Sequence, residues 1–170
     1  MLKNNVILKR DETLMKQGST LILRGTIILI GFVVLGLCVF GLPRAISSEL
    51  AGDFDYGPIF LGLYVTAIPF FFALHQALKL LDHIDHDKAF SQVSVNALKN
   101  IKYCALVISG LFAASMPYVF WLADRDDAPG VAAIGFVIIG ASFVIATAAA
   151  VFQMLFQNAV DIKSENDLTV

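Results

Sequence analysis

A chain of 170 residues with 58% hydrophobic content and a mean hydropathy of +0.76 is too apolar for a soluble domain, where the apolar share is ~45–50%. Its 12 basic and 14 acidic residues leave a net charge of −2, which offers no electrostatic footprint for direct nucleic-acid binding. The length suits one compact bundle rather than several domains.

Four charge-free stretches follow one another: Gly25 to Pro43, Tyr56 to Leu78, Tyr103 to Ala123 and Ala128 to Val160. The shortest holds 19 residues and covers about 28 Å as a helix, close to the ~30 Å hydrocarbon core of a bilayer. The predicted fold is therefore all-α: a polytopic membrane protein with four transmembrane helices in an antiparallel bundle. Residues 1–170 form one domain with helices at roughly 21–43, 57–84, 101–123 and 128–160.

The N-terminal segment carries Val6, Ile7, Leu8, Leu14 and Met15 between Lys3, Lys9, Arg10 and Lys16. Such a segment lies on an anionic lipid surface or leads into the first helix as a disordered arm, and both readings stand. A cleaved signal peptide fits less well. The apolar run exceeds the ~7–15 residues of a signal core, and Ala45-Ile46-Ser47 makes a poor cleavage site after Pro43. Cys38 within a span and Cys104 at a helix end give no disulfide framework.

Pro58 and Pro129 fall in the first turns of helices two and four, where a missing N–H costs nothing. Pro69 and Pro117 sit inside their spans and free the carbonyls of Val65 and Ala113, a kink that neighbouring helices can accommodate. Past the second span, Ala77, Leu80, Leu81 and Ile84 continue the helix. Ser91 has the character of an N-cap, with Phe90 and Val95 at the staple positions around it. It opens a short helix near 91–100 that runs into the third span. The histidine-aspartate run Asp82 to Asp87 places His83 and His86 at i, i+3, a weak metal-ligand pair with no second cluster to complete the coordination. A solvated or pH-sensitive helix end accounts for it equally well. His75 stands alone near the cytoplasmic end of helix two, as an interfacial imidazole.

Small residues suggest where helices approach. Gly110 with Ala114 on helix three, and Ser142, Ala146 and Ala150 on helix four, repeat at four-residue spacing and are candidate packing stripes, compatible with a homo-oligomer as well as with internal contacts. Glycines 31, 36 and 41, and again 130, 135 and 140, recur every five residues and so do not share one face. Asp124 to Asp127 is a four-residue link that makes helices three and four antiparallel neighbours. The charge-free part of helix four holds 33 residues, about 50 Å, so it tilts or leaves the membrane. Gln153, Gln157 and Asp161 on one face and Phe152, Leu155, Phe156 and Ala159 on another describe a helix leaving it.

Ten basic residues fall on one side of the spans (Lys3, Lys9, Arg10, Lys16, Arg24, Lys79, Lys88, Lys99, Lys102, Lys163) and two on the other (Arg44, Arg125). The positive-inside rule then puts both termini and the middle loop in the cytoplasm.

The stretch Asp87-Lys88-Ala89-Phe90-Ser91, the following Asn96-Ala97-Leu98-Lys99-Asn100-Ile101 and the terminal Asn166-Asp167-Leu168-Thr169-Val170 resemble the YoaS-like bacterial membrane proteins, a four-helix family of unknown function. The resemblance implies a multi-pass protein of the bacterial cytoplasmic membrane. Members are commonly encoded beside a small Cro/C1-type helix-turn-helix repressor, which implies a membrane-bound regulatory partner. It carries over no catalytic residue, and the histidine-aspartate run lies outside its pattern.

The outer links 44–55 and 124–127 leave no room for a folded domain, whereas the N-terminal arm, the segment 79–102 and the C-terminal tail crowd the inner face. The resulting expectation is a non-enzymatic, cofactor-free membrane protein whose cytoplasmic face binds a soluble partner through Phe90, Ser91, Asn96, Leu168, Thr169 and Val170. Against it stands an ordinary solvated set of loops. The other class is a small transporter or pore component for neutral or lipidic molecules, because the spans offer polar residues such as Thr26, Thr66, Ser109, Ser115, Ser142 and Thr147 with no buried carboxylate or base to couple ions or protons.

Overall fold

The computed structural model describes residues 20–41, 43, 44, 47, 57–85 and 90–167. Four helices carry the described chain: α1 (Thr20–Gly41), α2 (Gly57–Asp85), α3 (Gln92–Arg125) and α4 (Pro129–Asp167). Each is long and apolar enough to cross a membrane. α2 and α3 stay helical through Pro69 and Pro117.

α1 and α2 run antiparallel, as three ties show. Arg24 pairs with Asp82 at one end, Gly31 faces Leu74 in the middle, and the Tyr64 hydroxyl donates to the Cys38 carbonyl at 2.9 Å. Arg24, Gly31 and Cys38 are spaced by seven residues, which returns to one face of a helix every second turn. The Cys38 carbonyl belongs to the π-helical turn Leu37–Gly41 that ends α1. Such a turn shifts carbonyls out of the regular ladder, and the Tyr64 hydroxyl gives this one a donor.

α3 and α4 form the tightest pair. On α3 the buried or half-buried positions Val95, Leu98, Lys102, Ala105, Ser109, Phe112, Met116, Val119 and Ala123 alternate in steps of three and four. On α4 the same alternation runs through Ala132, Gly135, Ile139, Ser142, Ala146, Ala149, Gln153 and Phe156. A repeat of this kind is the pattern that, sustained over several turns, favours left-handed packing of two helices. α4 contributes mostly small residues, so the backbones approach closely, which is how membrane helices gain contact without a hydrophobic drive between them. A Cβ at Gly135 would lie 2.9 Å from Met116 Cε, and Ser109 Oγ donates to the Ile139 carbonyl at 3.3 Å. α2 joins at the far end, where Ile59 packs on the cluster of Met116, Val119, Ala123 and Ala132.

The α3–α4 turn has local causes. Asp127 adopts φ 50, the left-handed conformation that aspartate tolerates better than most residues. With it in place the Ala128 N–H reaches the Ala123 carbonyl at 2.9 Å, closing the bond of a Schellman turn.

Two cation-aromatic pairs mark the membrane boundaries on α3. Lys102 Nζ lies 5.1 Å from the Tyr103 ring, and the Arg125 guanidinium 5.5 Å from that of Trp121. Tyr103 and Trp121 stand about 27 Å apart along the helix, the depth of a hydrocarbon core. α3 therefore continues about 15 Å beyond the Lys102 boundary, and α4 about 20 Å beyond Gln153.

Candidate docking face

The long described extensions beyond the membrane zone, those of α3 and α4, lie at the end of Arg24, Asp82 and Lys102. Here α3 and α4 continue as a paired stalk. Ser91 caps α3: its backbone is extended and its Oγ accepts from the Ser94 N–H at 3.4 Å. The Ser91 and Ser94 hydroxyls also lie 3.2 Å apart, and Ser94 is buried. Val95, at the staple position, is 3% exposed. Phe90 meets the ring of Phe156 on α4, edge to face with centroids 5.3 Å apart. It thus ties the α2–α3 connection to the neighbouring helix, while half of its own surface stays open.

Polar contacts continue along the stalk. Gln92 Nε2 donates to Gln157 Oε1 at 3.5 Å, Gln157 Nε2 to Asp161 Oδ1 at 2.8 Å, and Lys102 Nζ to Gln153 Oε1 at 2.9 Å. Lys102 and Gln153 sit on the packing seam itself, where polar residues fix register at some cost in stability. Arg24 Nη2 lies 2.9 Å from Asp82 Oδ1 and 3.8 Å from Asp85 Oδ2. Both carboxylates are partly exposed, so the pair is worth only ~0–1 kcal/mol and chiefly locates the start of α1.

Asn96 is exposed on this stalk. Leu168, Thr169 and Val170, His86 and the N-terminal arm lie outside the described residues. His83 donates from Nδ1 to the Lys79 carbonyl at 2.9 Å, which engages one of its two ring nitrogens. Among the described residues no group of three His, Cys, Asp or Glu side chains converges as a metal site. Of the packing stripes, Ser142 and Ala146 are buried and Ala150 half-buried. Gly110 and Ala114 lie on the exposed face of α3, and a Cβ at Gly110 would meet nothing within 4 Å. The α3 seam passes through Ser109 instead.

The sequence pattern gives Arg24 and Phe156 no partner and offers Asp82 only His86, four residues on, whereas the structure pairs Asp82 with Arg24 and Phe156 with Phe90. Charges at span boundaries carried that signal only weakly, since pairing between helices depends on a register that no local pattern encodes.

Four spanning helices, antiparallel neighbours and a projecting stalk define a multi-pass helical membrane protein. Residues 21–170 match the model of a family described as protein of unknown function (DUF2975), and the chain belongs to that family. It is 55% identical over 160 residues to the uncharacterized membrane protein YoaS of Bacillus subtilis (strain 168), an alignment that takes in 92% of this chain and 100% of that relative. No solved structure matches the chain.

Proposed function

We propose that the protein is a non-enzymatic scaffold of the bacterial cytoplasmic membrane whose stalk faces the cytoplasm and holds a soluble regulator there. The observation that carries this reading is the stalk: α3 and α4 stay paired past the membrane boundary and present Phe90, Val93 and Ile162 as exposed apolar side chains among polar ones. Its orientation rests on the ten-to-two distribution of basic residues. The partner class, a small helix-turn-helix regulator, rests on the gene neighbourhood that the family resemblance implies.

The test uses the full chain in nanodiscs and a purified regulator of that kind. Saturable binding is expected, weakened about tenfold by Phe90→Ala, the scale of one interface anchor, and lost on deletion of residues 164–170, with thermal unfolding otherwise kept. Absence of saturable binding, or wild-type binding by both variants, contradicts the proposal.

A further inference from the structure

A cavity of about 450 Å³ lies between α2, α3 and α4, at the end of the spans remote from Arg24. Its size is that of a ligand site, ~300–1,000 Å³. Gly62 and Thr66 of α2, Ser115 and Met116 of α3, and Ile134 and Ile138 of α4 form its walls. On α3 these residues fall between Tyr103 and Trp121, so the cavity is at hydrocarbon depth.

The chemistry of the lining selects its occupant. Three side-chain hydroxyls line it, those of Thr66, Ser115 and Tyr118, and two of them already donate to their own helices: Thr66 to the carbonyls of Gly62 and Leu63 at 3.0 and 2.9 Å, Ser115 to that of Phe112 at 2.8 Å. A polar ligand would shed its water for a mostly apolar lining whose Thr66 and Ser115 hydroxyls are already committed. A hydrocarbon chain would lose nothing, and would restore the dispersion contacts that an empty apolar void forgoes.

Access is from the bilayer. Leu61 and Ile134, at the rim, are 68% and 63% exposed. α1 does not cover the opening, because Tyr64, which binds α1, stands about 160° around α2 from Gly62.

We propose that this cavity is a binding site for an acyl chain of a bilayer lipid in the leaflet remote from Arg24. The site is separate from the stalk and its occupancy is independent of any soluble partner. Gly62 offers the means to close it, since a Cβ added there meets nothing within 4 Å.

The full chain in nanodiscs of phosphatidylethanolamine and phosphatidylglycerol, doped with a phospholipid carrying a diazirine in mid-chain, is photolysed and its adducts mapped. Adducts are expected to concentrate on Leu61, Val65, Ile134 and Ile138. Gly62→Phe, which fills the cavity from α2, and Ile138→Phe, which fills it from α4, should each lower the adducts on Ile134 to the level found on the comparably exposed Phe32 of α1, whose own labelling stays unchanged. Adducts spread evenly over α1 and the cavity walls overturn the proposal. So does undiminished labelling of Ile134 in either variant with the helical content and melting temperature of the wild type.

Discussion

Gly31 and Gly36 are indistinguishable in the sequence and differ sharply in their surroundings. A Cβ at Gly31 would lie 2.8 Å from Leu74 Cδ2, whereas one at Gly36 would meet nothing within 4 Å. Gly36→Ala should therefore be neutral or stabilising by up to ~1 kcal/mol, since it removes backbone entropy from the unfolded chain. Gly31→Val should cost about 1–3 kcal/mol by displacing Leu74 from the α1–α2 seam. Thermal unfolding in detergent reads both, and equal melting temperatures would contradict the seam. The five-residue glycine spacing correctly says that these glycines share no face, yet it is silent on which of them touches a neighbour. Ser91 is the opposite case. Capping is local chemistry, and the residue was legible as a cap from its own surroundings in the sequence. Ser91→Ala should lower stability by about 1 kcal/mol, measurable in the same assay.

At the scale of elements, the presence of four spanning helices was legible because a charge-free run of bilayer length has few alternatives. The seams between them were not. Within a span every face is apolar, so the contrast that marks a buried side in water vanishes, and Gly110 with Ala114 looks as plausible as Ser142 with Ala146. The three-four alternation across both α3 and α4 emerges only when the two helices are laid together. Its polar layer gives a test with opposite signs. Gln153→Leu alone leaves Lys102 half-buried without its acceptor and should destabilise by about 1–2 kcal/mol. Lys102→Leu combined with Gln153→Leu makes the layer apolar and should be at least as stable as wild type, by up to about 1 kcal/mol more. If both changes destabilise additively, the layer is not a coupled pair.

For the whole molecule, the physical picture is an asymmetric one. The far side carries a short Schellman turn at Asp127 and the aromatic-cation pair of Trp121 and Arg125, while the near side carries the Arg24–Asp82 tie and the α3–α4 stalk. The class of protein was legible from composition. The stalk was visible in outline, as the excess length of helix four and the helix after Ser91, but its pairing through Phe90 and Phe156 was not, because that contact joins residues 66 positions apart. The account depends above all on the stalk lying in the cytoplasm, and thiol accessibility measures this directly. In a chain with Cys38 and Cys104 replaced, single substitutions Asp126→Cys and Lys99→Cys are exposed to a membrane-impermeant maleimide on intact cells. The orientation predicts labelling at position 126 in intact cells and at position 99 only after the cells are opened. Labelling at position 99 in intact cells, with position 126 protected, would reverse the stalk and contradict the account.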